Sequence, residues 1–418
     1  MLTREENELL CRVGPQTPMG SMMRRYWLPA LLSTELPARD GAPKRVRLLG
    51  EDLVAFRDAN GSVGILDEHC PHRGASLVLA RNEGCALTCI YHGWKIAADG
   101  TILETPAEPE DSGFSSRIKA LAYPVCERGG VIWTYLGPPG SEPQFPNWEW
   151  TSLPSEQVAI VKMPEECNWA QALEGVIDSA HTGYLHATDS GHHRAAVVRD
   201  RRPRLEAEDT PYGFWYAAIR KPADDPDQSR YIRTTHFVAP FYGVIPGPPG
   251  WGHMQAFVPI DDERTAFYYF QWRFEGAADQ SAALTQAGAV PGVDLDEQGV
   301  KIRDRDNNWL QDRQAMDRGS YCGISGVQNQ DMAVQESMGP IFDRTREHLG
   351  TSDVAVIRFR RVMLDGVRKF RAGEPAVGLS GSVPYHLFRG GEATIPLGEP
   401  WQTVGAVPPP VPPVPAEA

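Results

Sequence analysis

Two short segments, Cys70-x-His72 and Cys89-x-x-His92, offer two thiolates and two imidazoles with sixteen residues between them. Each segment lies between strand-like runs, so two loops can face one another across a single site. Zinc could use such a set, because two cysteines and two histidines make a common tetrahedral site. The pairing of one cysteine with one histidine in each half also suits a [2Fe–2S] cluster to which each loop gives one ligand per iron. Cys70 and Cys89 would then hold one iron, and His72 and His92 the other. Cys85 and His69 stand beside these segments but outside the pattern, and are read as a packing cysteine and a loop histidine.

A second group follows in "CNWAQALEGVIDSAHTGYLH", Cys167 to His186. At 100° per residue, Trp169, Leu173, Val176, Ile177 and Ala180 share one face, and Gln171, Glu174, Asp178 and His181 share the other. A polar face turned to water is the bland explanation. The continuation favours chemistry: Asp178 sits one turn before His181, where a carboxylate can hold the imidazole nitrogen that a metal does not use. His186 comes five residues later, and Gly183 is expected to loosen the helix and bring it beside His181. Two histidines and one carboxylate form the facial triad of non-haem Fe(II) oxygenases, with coordination positions left open. The carboxylate is nominated as Asp331 in "NQDMAVQESM", on a short helix shared with Gln335; Glu336 and Asp343 are the fallback choices. Gln171 and Glu174 are expected to support these ligands from behind.

Two centres need scaffolds to hold them. The first forty residues contain two short helical pieces, around Glu5 to Val13 and Met22 to Leu32. Short strands begin at Lys44: "KRVRLLGEDLVAFRD" reads as two strands turned at Gly50 to Asp52. Asn60-Gly61 and Asp99-Gly100 are hairpin signals, and "GGVIWTYLG" closes an antiparallel module. Beyond a proline-rich stretch come aromatic-rich strands such as "YGFWYAAIR", "RYIRTTHFVAPF" and "TAFYYFQWRF". Val356, Phe359, Met363, Val367 and Phe370 then mark one face of a late helix. The division expected is a helical segment over 1–43, a cluster domain over 44–128, a catalytic domain over 129–400 and an extended or disordered proline-rich tail over 401–418. The class is α+β.

The chain has 418 residues, 41% of them apolar, and a net charge of −13, which argues against nucleic-acid or anionic-membrane partners. No apolar run approaches a membrane span of about 20 residues. A charged, mixed N-terminus and an odd count of seven cysteines point to the cytoplasm. No glycine-rich dinucleotide fingerprint is present, so NADH is expected to bind a separate protein.

At these residues the chain resembles the α subunit of Rieske non-haem iron oxygenases. The spacing of Cys70, His72, Cys89 and His92, with "PHRG" and "YHGW" around it, resembles the Rieske signature, and Asp178-x-x-His181-x4-His186 resembles the mononuclear iron motif. "RVGPQTPMGSMMRRYWLPALLSTELP", "RVRLLGEDLVAFRD" and "ESMGPIFDRTREHLGTSDVAVIRFRR" look like the phthalate dioxygenase branch, which includes aryl O-demethylases. The resemblance implies an antiparallel β Rieske domain beside a helix-grip (Bet v1/START-like) catalytic domain with flanking helices. It also implies a homotrimer or dimer of trimers in which Asp178 links the cluster of one subunit to the Fe(II) of the next. Substrates would be O2 and a small aromatic carboxylate, with electrons from a flavin and iron–sulfur reductase. Arg204, Arg233 and Ser179 are the candidate substrate contacts, and "SGHHRAAVVRDRRPR", with His192 and His193, is a candidate lid. Ring dihydroxylation, hydroxylation and O-demethylation of a vanillate- or dehydrodivanillate-type acid use the same ligands. A Rieske electron carrier without oxygenase activity and a zinc-stapled binding module are the competing classes; iron content and colour separate them.

Overall fold

A computed structural model describes residues 1–109, 112–188, 194–222 and 224–405. Helix α1 (Arg4–Cys11) is capped by a reciprocal pair between Thr3 and Glu6, and α2 (Pro18–Met23) starts on Thr17 with proline at its first position. The segment expected to be helical from Met22 to Leu32 is instead mostly strand β1 (Trp27–Leu32). Leu28, Ala30 and Leu31 are all buried there. Pairing with a later strand, a contact distant in sequence, decides the outcome over local preference.

Three small sheets follow. Strands β2 (Lys44–Leu48), β3 (Glu51–Arg57) and β4 (Val63–Asp67) form an antiparallel meander. The β2–β3 turn is Leu49-Gly50, both with positive φ, so Glu51 and Asp52 belong to the strand and not to the turn. Strands β5 (Arg81–Glu83), β6 (Ala86–Thr88), β7 (Lys95–Ala97) and β8 (Ile102–Glu104) make a second sheet in sequential order. Strand β9 (Ala122–Tyr123) returns to β4, and β10 (Val125–Arg128) pairs with β11 (Val131–Tyr135). The far edge of β11 pairs with β1, so "GGVIWTYLG" closes a sheet begun by the N-terminal segment. Cys70, Cys89 and Trp94 belong to a small hydrophobic core of their own.

The remaining chain builds one large antiparallel sheet. Strand β12 (Val158–Glu165) is followed by helix α3 (Trp169–Ile177), a short helix α4 (Arg194–Arg199), and strands β13 (Arg204–Thr210), β14 (Gly213–Arg220), β15 (Ser229–Val238), β16 (Tyr242–Val244), β17 (Trp251–Pro259) and β18 (Thr265–Arg273). Their spatial order is β12-β18-β17-β16-β15-β14-β13. Helices α5 (Gln280–Ala287), α6 (Arg313–Asp317), α7 (Val327–Ser337) and α8 (Val354–Arg371) come next, and β19 (Glu392–Pro396) pairs with the outer half of β15. Val356, Phe359, Met363 and Val367 of α8 are buried, while Phe370 lies under the Arg25 guanidinium. A long amphipathic helix laid against an antiparallel sheet is the helix-grip arrangement, and the class is α+β. Residues 401–405 are not a loose tail: Trp401 packs on Trp215, and the Gly405 carbonyl meets His236 at 3.2 Å. Residues 406–418, and the lid candidates His192 and His193, lie outside the described residues.

Candidate active site

The two cysteine–histidine loops have matching backbones. The Cys70 amide donates to Ala75 O and the Gly74 amide to Cys70 O; the Cys89 amide donates to Trp94 O and the Gly93 amide to Cys89 O. Gly74 and Gly93 have φ of 74° and 72°, a left-handed conformation that a residue with a Cβ rarely adopts. The equivalent turns bring the His72 and His92 rings to 4.4 Å between centroids, and His72 stacks on Trp94 at 4.7 Å. Cys70 and Cys89 are 3% exposed and touch one another. Burial, reinforced by Cys89 and opposed by nearby backbone amides, pushes the Cys70 thiol up to about 11. His72 Nδ1 is buried without a hydrogen-bond partner. Abutting thiols and an orphaned imidazole nitrogen fit a cation-centred cluster as ligands. Cys85 sits in the β5–β6 turn, where Asn60 Nδ2 donates to its sulfur at 3.1 Å; His69 is exposed beside Asp67.

The second site forms where α3 stops. The helix ends at Ile177, well before Gly183. Asp178 leaves it in extended conformation, and its carboxylate accepts the Ala180 amide at 2.7 Å. A short turn over His181–Gly183 follows. Gly183 therefore does not loosen a helix; a Cβ there would lie 2.7 Å from Val197 O, so it admits a neighbouring backbone. The break places His181 Nε2 at 3.1 Å from His186 Nε2. Asp331, on α7, brings Oδ1 to 3.1 Å from His186 Nε2 and 3.5 Å from His181 Nε2. Two metal–ligand bonds of about 2.1 Å at a right angle leave ligand atoms about 3 Å apart, so the three atoms suit one metal ion. Among the described residues this is the one His/Cys/Asp/Glu trio found with metal-ligand spacing.

Partners on the far side of each ring set its tautomer. Asp178 Oδ2 lies 3.6 Å from His181 Nδ1, and Gln330 Oε1 lies 2.7 Å from His186 Nδ1. Protons on both Nδ1 atoms turn the Nε2 lone pairs toward Asp331, an arrangement a cation relieves. Burial pushes the Asp178 carboxyl up, but His181 and the Ala180 and His181 amides together hold it below its ordinary value. Gln330 was not anticipated: it is one residue from Asp331, and only the fold shows that its amide reaches His186.

The other nominated residues separate. Gln171 and Glu174 face protein rather than water, yet their bonds do not run to the histidines. Gln171 ties α3 to the Gln335 and Gly339 carbonyls and the Phe342 amide, and Glu174 receives Arg344 and Arg360. Glu336 is held by Lys301, Trp309 and the Glu166 amide, and Asp343 is exposed beside Thr345. Neither fallback carboxylate approaches the histidines. Arg204 is exposed on the sheet edge and pairs with Glu206, so it does not line the cavity beside the trio. Arg233 and Ser179 do line it, with His253 and Tyr269, around a space of about 340 Å³. Behind Ser179 stands Arg220, 2% exposed, which donates to the Ser179 carbonyl at 2.5 Å and the Asp200 carbonyl at 3.2 Å. Burial and the nearby Arg233 lower its guanidinium to about 10. Its position at the end of the otherwise apolar "GFWYAAIR" was the available signal.

Comparison with known proteins agrees with this geometry. Residues 26–123 match the Rieske [2Fe-2S] domain, and residues 134–409 match the family described as "LigXa C-terminal domain like". The chain belongs to the Rieske non-haem iron oxygenases, as an oxygenase component carrying a Rieske cluster domain and a mononuclear-iron catalytic domain. It is 45% identical over 390 residues to the phthalate 4,5-dioxygenase oxygenase subunit of Pseudomonas putida, covering 90% of this chain and 89% of that one. It is 37% identical to the 3-chlorobenzoate-3,4-dioxygenase oxygenase subunit of Comamonas testosteroni (96% and 98% covered). To the 5,5'-dehydrodivanillate O-demethylase oxygenase subunit of Sphingobium sp. it is 33% identical (90% and 82% covered). The crystal structure of dicamba monooxygenase bound to dicamba shares the fold at a TM-score of 0.59 with 18% identity, covering 85% of this chain and 100% of that one. As an oxygenase subunit, the chain works with a separate electron-donor protein. Among the described residues, no helix is long and apolar enough to cross a membrane.

Proposed function

We propose that this chain is the terminal oxygenase that adds O2 to the ring of a small aromatic carboxylate of the phthalate kind. Electrons would come from NADH through a flavin and iron–sulfur reductase. In this reading residues 44–128 carry the electron donor and 129–400 the oxygen chemistry, in a cytoplasmic trimer or dimer of trimers. Cys70 and Cys89 hold one cluster iron, His72 and His92 the other, and His181, His186 and Asp331 the mononuclear Fe(II). When bound, the cluster supplies single electrons and the Fe(II) supplies O2 activation. Asp178 fixes the His181 tautomer and is the contact through which a neighbouring subunit's cluster is reached.

The observation that carries the substrate class is Arg233. Its side chain is 13% exposed, it lines the cavity beside the three ligand atoms, and its Nε has no hydrogen-bond partner, with Glu392 at 3.7 Å. Arg220 is its diagonal neighbour on the adjacent strand, and one Arg220 nitrogen, Nη1, is likewise unpartnered. Arg233 on the cavity wall, with Arg220 behind it and Glu392 as the carboxylate paired to it, leaves that corner net positive, which suits an anionic substrate and disfavours a neutral one. The test is a product screen with the reductase over phthalates, chlorobenzoates, phenoxybenzoates and methoxylated biphenyl acids. A dihydrodiol from a phthalate is the expected product; turnover of neutral arenes in preference to acids would overturn the assignment. The relationship to an O-demethylase supports a second reading, in which a methoxylated acid loses its methyl group as formaldehyde and no ring diol forms.

A further inference from the structure

Glu165 closes β12 and is 0% exposed. Its Oε1 accepts the Cys167 thiol at 3.4 Å, while Oε2 has no hydrogen-bond partner. A buried carboxylate with a bare oxygen is costly, whereas a neutral carboxylic acid bonded to water is not. Glu165 borders a small cavity of about 10 Å³, close to the space one water molecule needs, together with Gln255, Gln328, Asp331 and Gln335. Gln255, Gln328 and Asp331, with Val176, also wall the larger cavity, so the two spaces share a partition that is mostly polar. The charged and titratable groups facing Glu165 are Glu336 and Asp331 from α7, Lys301 from the preceding loop, and Cys167. Lys301 is already paired with Glu336. Burial first, then the two carboxylates, push Glu165 up to about 8 against the opposing effects of Lys301 and Cys167.

We propose that Glu165 is an uncharged acid that holds a proton one buried water away from Asp331 and passes it through that water into the oxygenation cavity. The inference rests on the oxygenase reading above. As the Glu165 O–H bond breaks, an O–H bond to the buried water forms, and the water releases one of its own protons toward the cavity. Glu165 is left as a carboxylate. O2 is the oxidant, the donor protein supplies the electrons, and product oxygen takes up one proton for each electron. Gln255 and Gln328 position the water.

Infrared difference spectroscopy on the intact holoenzyme at neutral pH tests the proton directly. The wild type should show a protonated-carboxyl carbonyl band that moves in heavy water and is missing from Glu165→Gln. Single-turnover product formation should slow on the order of a hundredfold in that variant, with iron content unchanged. Wild-type single turnover should decline on the alkaline side as Glu165 ionises, and the variant should lack that limb. If no acid band is lost on substitution, or the variant turns over at the wild-type rate, the relay is wrong. Should Glu165→Gln fail to fold, the wild type decides alone: absence of any acid band overturns the proposal, and a heavy-water-sensitive band with an alkaline limb supports it. A wild-type enzyme without mononuclear iron sinks the oxygenase reading, and with it the proton's destination, while leaving the band in place.

Discussion

Which ring nitrogen each histidine turns inward depends on one carboxylate and one amide. Asp178 faces His181 Nδ1, and Gln330 faces His186 Nδ1. Replacing Gln330 with Leu removes the acceptor that holds the His186 ring, and iron affinity should fall roughly 10- to 100-fold. Metal content after dialysis against a graded chelator measures this; unchanged retention would remove Gln330 from the site. Asp331→Ala should lower iron from about three to about two per chain while leaving the visible spectrum of the cluster intact. Loss of colour together with iron would mean that the variant had unfolded instead. Asp331 was legible because a polar short helix could present it once per turn. Its rivals Glu336 and Asp343 were excluded only by partners far away in sequence, Lys301 and the fold around Thr345.

At the scale of elements, α3 is held by charges its helical wheel could not interpret. Within Trp169–Ile177 the wheel sets Gln171 and Glu174 apart from Trp169, Leu173 and Ile177, but Asp178, Ala180 and His181, which it also placed, lie beyond the helix end. Water and a second helix also look alike to it. Glu174 meets the wholly buried Arg344 and also Arg360. Glu174→Gln should therefore cost about 3 kcal/mol, because a buried guanidinium loses its counter-charge. A urea midpoint shift with unchanged slope is the measurement. Strand β15 carries a second dependence. Burial holds His236 down to about 4 from its ordinary 6.5. Between those values the unfolded chain binds a proton that the folded chain refuses, so stability falls as pH drops through this window and is unaffected above it. His236→Gln should flatten stability between pH 7 and 4.5 relative to wild type; equal slopes would assign the acid sensitivity elsewhere.

Across the whole molecule, the cysteine–histidine loops sit on a small core separate from the large one that contains α3. In the proposed function Asp178 has two tasks to test apart, orienting His181 within the chain and receiving electrons between chains. Asp178→Asn should keep both metal centres while slowing cluster reoxidation by at least about tenfold once substrate and O2 are added. Stopped-flow absorbance reports it, and reoxidation at the normal rate would remove the bridging role. The amino-acid sequence alone determined the paired cysteine–histidine loops, the candidate histidines His181 and His186, the α+β class and the order of the domains, because each rests on spacing between near neighbours: Cys-x-His, Cys-x-x-His, Asp-x-x-His, and the two- and four-residue periods of strands and helices. Only the tertiary structure decided that Met22–Leu32 is mostly strand, that α3 breaks at Asp178, that Arg204 faces solvent, that Gln330 meets His186 and Arg220 meets Ser179, and that Glu165 is buried beside Asp331. Those outcomes, like the choice of Asp331 over Glu336 and Asp343, depend on groups brought together from distant segments, where burial and unshared hydrogen bonds, not local periodicity, set the energy.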